Sequence, residues 1–346
     1  MTGKERVREA ILHHETDRVP KGELHIEGEL SNLLLGKSYP LTYEDFERER
    51  AVRELLHMDL VNVGEWPSWE LPSSDGKRCL VQTVYGQIYE KGQNSNRLVK
   101  PAVEDIEDAW MYKKPDSSKV SGEIVRRFAT ETELFVFAQI GGPVTQLDEM
   151  FSMEDFMVYS MTNTKEMHMI AEKVMEYELE KAKIFLDNGA DGIVVGDDVA
   201  FNSGIFLPPH IMEENVYPFW KWLVREIKKY RDVPVFLHSD GNISAALPQI
   251  VSSGFDGVQS LQPSAGMDIA AVKKDYGDRL CLWGNIDLDY VMCFGSPQDV
   301  KKAVRETIRV AGKGGGYILS TCNTMISSIP RENVFAMIEA SEETYM

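Results

Sequence analysis

The sequence predicts an α/β protein of the (β/α)8 barrel class. Three observations carry that expectation. Short apolar runs bounded by turn residues recur along the chain, as in strands covered on both faces. Eight such strand candidates cover nearly the whole length, and each except the second is clearly followed by helix. No Gly-x-Gly-x-x-Gly follows the first candidate and no Walker-type loop appears, which argues against a doubly wound open sheet. No linker-like stretch divides the chain, so residues 1–346 read as one barrel domain.

The elements follow in order. Thr2-Gly-Lys-Glu5 is a capping box that opens an N-terminal helical extension to about His14. Val19–Ile26 reads as the first strand, with Glu23, His25 and Glu27 alternating against Leu24 and Ile26. An amphipathic helix over 42–57 leads to a second strand, Asp59–Glu65, followed by Trp66 and Trp69. Residues 66–115 interrupt the rhythm. There Val81–Tyr89 and Asn96–Val99 flank Lys91-Gly-Gln-Asn-Ser95, which predicts a β-hairpin insertion near the barrel mouth, as a lid or a decoration. Strands are then expected at Leu134–Ile140, Asp191–Gly196, Val235–Leu237, Gly257–Leu261, Leu280–Trp283 and Gly316–Ser320. Helices are expected over 117–130, 153–160, 164–188, 209–231, 243–252, 267–275, 297–311 and 330–343.

Composition narrows the function. A net charge of −18 argues against nucleic acid or an anionic membrane as partner. No apolar run approaches a membrane span, and Met1-Thr-Gly-Lys-Glu5 is no signal peptide. Four cysteines scattered through a long chain do not resemble a disulfide framework. A cytoplasmic protein with reduced thiols is expected.

The richest stretch is Val233-Pro-Val-Phe-Leu-His-Ser-Asp-Gly-Asn242, where a buried strand ends in His238, Ser239, Asp240 and Asn242. In parallel α/β folds the carboxyl ends of strands carry the chemistry. His238 and Asp240 can present two donors from one turn, and Cys322, after the last strand, supplies a third. Zinc takes nitrogen, oxygen and sulfur ligands and needs three of them plus an open position for catalysis. The bland readings stand beside this one. Alone, Cys322 reads as a small buried hydrophobe, and Asp240-Gly241 as a turn that starts a helix. Asp197 and Asp198 end another strand, as catalytic groups beside His238 or as helix caps. Trp66, Trp69, Phe201, Trp283, Met292 and Met325 lie near strand ends, as core or as a pocket for a flat aromatic molecule.

The stretches ERVREAILHHETDRVP, GDDVAFNSG, FLHSDGNI and GGYILSTCNTMISSIPRENV resemble the uroporphyrinogen decarboxylase superfamily, and within it the corrinoid-dependent methyltransferase branch. The resemblance runs from about residue 4 to the C-terminal helix and is weakest through 66–115. It implies a TIM barrel with a zinc-binding His-x-Cys turn and a second Cys near the last strand. His238 and Cys322 match the first and last of these, whereas Asp240 stands where the middle Cys is expected, which hardens the site. Decarboxylation ranks lower, because Glu23, His25, Glu27 and Glu29 replace an Arg-containing motif and would repel a polycarboxylate. Harder ligands suit polarising an oxygen. The resulting expectation is a methyltransferase I of O-demethylase type, acting on a small aromatic methyl ether. His238, Asp197 and Asp198 would be catalytic, with substrate contacts from Trp66, Asn202, Gln262, Trp283, Asn285 and Asn323. Phe236 replaces the Asp of the corrinoid-carrier motif Asp-x-His-x-x-Gly, so the corrinoid (cobalamin) cofactor should arrive on a separate carrier protein. Thiol or methylamine methyl transfer, a decarboxylase-like lyase and a non-catalytic subunit stay open, as does a homodimer.

Overall fold

The computed structural model describes residues 1–42, 45–72, 79–92 and 96–343. Its strands are β1 (Leu60–Val63), β2 (Ser68–Leu71), β3 (Leu80–Thr83), β4 (Ile88–Glu90), β5 (Arg97–Lys100), β6 (Phe135–Gly141) and β7 (Gly192–Gly196). Then follow β8 (Ala200–Phe201), β9 (Gly204–Ile205), β10 (Val235–Ser239), β11 (Gly257–Ser260), β12 (Cys281–Ile286) and β13 (Tyr317–Thr321). Seven of them form one parallel sheet in the order β1-β6-β7-β10-β11-β12-β13. Each neighbour is the next strand of that sheet along the chain, with helices in the crossovers, as short parallel connections require.

The first expected strand is not a regular one. Residues 19–26 make only two isolated parallel bridges, Lys21 to Leu319 and Ile26 to Met325. The segment still ties both outer strands of the sheet. Leu319 N–H donates to Pro20 O (2.9 Å) and Gly22 N–H to Leu319 O (3.0 Å), while Asp59 N–H, before β1, donates to Lys21 O (2.8 Å). Two causes prevent a ladder. Pro20 has no N–H, and the Lys21 N–H goes to the Asp59 carboxylate (2.9 Å). The regular eight-stranded expectation is therefore corrected to a curled seven-stranded sheet whose gap an irregular segment spans.

Side chains alternate across each strand, so one set faces the helices and the other the enclosed side. Leu24, Leu60, Phe135, Phe137, Val194, Phe236, Cys281, Trp283 and Ile318 form the enclosed apolar cluster. Phe137 stacks on Trp283 at 5.2 Å between ring centroids and meets Phe236 edge-on at 5.1 Å. Burying each such ring contributes roughly 1.5–3 kcal/mol. Two residues further along the strands the enclosed positions turn polar: Asn62, Gln139, His238, Gln259, Asn285 and Ser320. The site lies above this change.

The insertion is larger than a hairpin. β2 to β5 form a four-stranded antiparallel sheet. The expected strand Val81–Tyr89 divides into β3 and β4 at a turn where Gly86 adopts φ +107° and Thr83 N–H donates to Gln87 O (3.0 Å). Of the expected hairpin turn, residues 93–95 lie outside the described residues. The sheet rests beside the mouth: Tyr85 hydroxyl donates to Glu178, and Tyr89 hydroxyl to Glu149 O (2.7 Å). Glu178 also accepts from Gly141 N–H at the end of β6 (2.8 Å). A helix over Pro143–Met150 went unforeseen, because Gly141-Gly-Pro143 reads as a turn although Pro143 occupies its first turn. Among the described residues, no helix is long and apolar enough to cross a membrane.

Candidate metal centre

His238 lies in β10, opposite Gln259 of β11 in the parallel ladder. Its Nδ1 hydrogen-bonds Gln259 Oε1, and with that oxygen as acceptor the proton sits on Nδ1. Nε2 makes no hydrogen bond among the described residues and lies 3.8 Å from Asp198 Oδ1, on a side chain only 10% exposed. Asp240 follows on the turn. Its Oδ1 accepts from Ser260 Oγ (2.9 Å) and its Oδ2 from Asn323 Nδ2. Burial raises its pKa, and His238 opposes that shift. Asp198, exposed after β7, accepts the Asp240 backbone N–H at 2.9 Å. Ligand atoms of Asp198, His238 and Asp240 all lie within 4.8 Å of one another.

The turn that presents Asp240 depends on glycine. Gly241 has φ +79°, and a Cβ there would sit 2.4 Å from Ala200 O. Gln262 Oε1 accepts the Gly241 N–H (3.0 Å). Ser260 and Leu261 hold left-handed backbone at φ +95° and +53°, strain that non-glycine residues carry where neighbours enforce it. Asn285 Nδ2 donates to Leu261 O (2.6 Å) and fixes that conformation from β12.

The expected residues therefore separate. His238 and Asp240 meet, and Asn323 holds Asp240. Gln262 and Asn285 brace backbone. Cys322, expected as the third ligand, falls outside the cluster. It is 2% exposed, its N–H donates to Ile286 O (2.9 Å), and burial pushes its thiol up to about 12. Asp198 is the third member of the cluster. Asp197, expected to be catalytic, is fully buried. One of its oxygens accepts from Val144 and Thr145 N–H (2.8 and 2.9 Å), and the other from Trp220 Nε1 (2.6 Å). It caps the Pro143–Met150 helix from another loop.

The aromatic residues divide as well. Trp283 is fully buried in the enclosed cluster, with Nε1 donating to Gly22 O (2.7 Å), so no face is left for a substrate. Met292 and Met325 are core too. Trp66 is half-buried, with the Lys181 ammonium 5.0 Å from its ring. Phe201 and Asn202 are exposed on the β8–β9 turn. The acidic wall expected from the first strand is corrected. Glu23 is fully buried and accepts from Thr321 N–H (3.1 Å), and burial drives the His25 pKa down to about 4. Glu27 accepts from Ser327 N–H (2.5 Å), which leaves Glu29 as the exposed one of the four. Gln259 and Ser260 were missed as site residues. The signal was a polar pair, Gln259 and Ser260, at the carboxyl end of a strand candidate.

The spacing of His238 and Asp198 fits a shared divalent cation, and Asp240 lies within 4.8 Å of both. Zinc sits about 2.0–2.2 Å from nitrogen and carboxylate ligands, so donor pairs up to about 4.4 Å apart can share it. The 3.8 Å His238–Asp198 pair falls within that span. The imidazole is held through its other nitrogen and both carboxylates through hydrogen bonds, as metal ligands are. One nitrogen and two oxygens form a harder set than thiolates would.

A curled parallel α/β sheet with a nitrogen-and-carboxylate cluster at its carboxyl edge defines a barrel-type protein with its site at the strand ends. A family model described as uroporphyrinogen decarboxylase (URO-D) matches residues 86–344, and the chain belongs to that family. It is 28% identical over 207 residues to the methylcobamide:CoM methyltransferase MtaA of Methanosarcina barkeri, covering 59% of this chain and 57% of that protein. It is 29% identical over 226 residues to the uroporphyrinogen decarboxylase of Trichodesmium erythraeum, covering 63% and 60%. The chain thus spans about six-tenths of the length of these curated relatives. A solved methyltransferase from Methanosarcina mazei superposes with a TM-score of 0.77 at 19% identity, covering 99% of this chain and 98% of that one, which shows the shared fold.

Proposed function

We propose that this protein is a methyltransferase that demethylates a methoxylated aromatic compound and passes the methyl group to the cobalt(I) corrinoid of a separate carrier protein. The observation that carries the reading is the cluster of Asp198, His238 and Asp240, which offers nitrogen and oxygen but no thiolate. The likeness to MtaA supports methyl transfer as the reaction class. Cobalt(I) of the incoming carrier attacks the methyl carbon, the carbon–oxygen bond breaks, and its electron pair leaves on the aryl oxygen. Phenolate leaves poorly from an ether, so stabilising that oxygen is the main task.

A divalent metal, zinc by this reading, supplies positive charge at the site when bound. His238 would hold it through Nε2, with Asp240 and Asp198 as carboxylate ligands. Gln259 fixes the imidazole, Ser260 and Asn323 fix Asp240, and the Asp240 N–H fixes Asp198. Trp66 and Phe201 remain as aromatic surface for the substrate ring. The corrinoid is an incoming substrate. Phe236, where a carrier needs Asp, is packed in the enclosed core, and His238 is already engaged.

A decarboxylase reading has the family and the Trichodesmium relative in its favour. Asp198 and Asp240 oppose it, since two carboxylates that cancel a divalent cation leave no net positive charge to hold a polycarboxylate. The test is to incubate the protein with a cobalt(I) carrier and 2-methoxyphenol, methylamine or methanethiol, and follow the corrinoid spectrum. Methylation of cobalt with 2-methoxyphenol is expected. Activity confined to methylamine or methanethiol, or absent with all three donors, would overturn the reading.

A further inference from the structure

The enclosed layer just below the metal cluster is polar and uncharged. Asn62, Gln139, Asn285 and Ser320 each follow a residue of the enclosed core by two, Gln259 follows Gly257, where a Cβ would meet the Phe236 ring, and His238 is the titratable member. Among the described residues, two polar atoms of the layer have no hydrogen-bond partner. Asn62 Nδ2 donates to Gln139 Oε1 (2.7 Å), but Asn62 Oδ1 has no partner. Gln259 Oε1 is taken by His238, but Gln259 Nε2 has no partner. Both residues are almost completely buried, at 2% and 0% exposure. Exchanging the amide oxygen and nitrogen of either residue would still leave one polar end over.

We propose that this layer is the anchoring subsite for an uncharged hydrogen-bonding group of the methyl donor, with Asn62 and Gln259 as its contacts. The proposal rests on the methyl-donor reading above and specifies what that donor carries. A buried polar atom without a partner costs about 1–3 kcal/mol, and folded proteins keep few of them. Two in one enclosed layer, one a donor and one an acceptor, are complementary to a ligand that both accepts and donates. A phenolic hydroxyl or a carboxamide has that character. Gln139, the partner of Asn62, is only half-buried, so the layer opens toward the mouth. No Lys or Arg occupies these enclosed positions, so a carboxylate entering here would shed its hydration with no cation in return.

The proposal is tested by calorimetric binding to the metal-loaded protein, without any corrinoid carrier. The ligands are 2-methoxyphenol, methoxybenzene and 2-methoxybenzoate. Wild type should bind 2-methoxyphenol about 10-fold or more tighter than methoxybenzene, with the benzoate weakest, as expected when a polar site meets a ligand lacking its partner group. Asn62→Leu should reduce the preference for the phenol to about three-fold or less while methoxybenzene affinity holds. Asn62→Ser and Gln259→Met should each reduce it as well. Equal affinities for the phenol and methoxybenzene in wild type, or no measurable binding of any of the three, would overturn the proposal without recourse to a variant. An unchanged preference in folded variants would also overturn it, because a structural water then satisfies both amides. If the preference holds but cobalt is not methylated, the subsite stands and the methyl-transfer reading falls. If cobalt is methylated but the affinities are equal, methyl transfer stands and the subsite falls.

Discussion

His238 and Gln259 face each other across the β10–β11 ladder, and the bond from imidazole Nδ1 to the Gln259 oxygen turns Nε2 outward to within 3.8 Å of Asp198 Oδ1. A buried amide on one strand thus decides which nitrogen of a neighbouring strand's histidine is available. Such a partner fixes both the tautomer and the orientation of a metal-binding imidazole.

Metal analysis of variants follows directly. Wild type should carry about one zinc per chain when purified from zinc-containing medium. His238→Ala and Asp240→Ala should lower that at least about ten-fold, and Asp198→Asn by about the same. Cys322→Ser should keep most of the metal, since its buried thiol lies outside the cluster. Loss of metal in Cys322→Ser with retention in Asp198→Asn would restore the thiolate ligand set.

Asp197 should matter for stability. Its carboxylate accepts two backbone N–H groups and the Trp220 indole N–H, all buried. Asp197→Ala orphans those donors and should cost about 3–5 kcal/mol by chemical denaturation. Asp198→Ala, at an exposed position, should cost under about 1 kcal/mol. Similar losses for the two would contradict the division of roles.

Glu23 sets a pH dependence of stability. Burial lifts its pKa to about 7 from an ordinary 4.5, with Thr321 and Arg53 opposing. A carboxyl group raised in the folded state contributes stability that is complete below about pH 4.5 and lost as pH rises through about 7. Between pH 5 and 8, wild type should therefore lose up to roughly 3 kcal/mol relative to Glu23→Gln. Parallel stability curves for the two proteins would show that Glu23 keeps its proton, or its charge, throughout.

The charge at the mouth should select donors. Asp198 and Asp240 together cancel a bound divalent cation, so a methoxybenzoate meets no net positive charge there, and a neutral methoxyphenol needs none. Under the proposed function, kcat/KM should favour the methoxyphenol by about 10- to 200-fold, the usual cost of one mismatched group. Asp198→Asn should narrow that ratio if enough metal remains for turnover. Equal rates on both donors in wild type would show that the carboxylates do not face the substrate.

The sequence alone was enough to locate the seven strands of the parallel sheet, though not to show that residues 19–26 form no regular strand. β1, β6, β7, β10, β11, β12 and β13 begin and end within a few residues of the expected runs, because a strand covered on both faces must be apolar and must end where polar residues begin. His238 and Asp240 were legible for the same reason. Which way each side chain points was settled only in three dimensions. Trp283 and Asn285 are two residues apart on one strand, yet one fills the apolar layer and the other braces the site loop. Asp197 and Asp198 are adjacent, and one turns inward to cap a helix while the other turns out toward His238 and Asp240. Cys322 and Asp198 follow different strands, and nothing in their order along the chain says which comes within reach of His238. A change of one residue reverses the face, and lateral neighbours come from distant parts of the chain, so that choice belonged to the curl of the sheet.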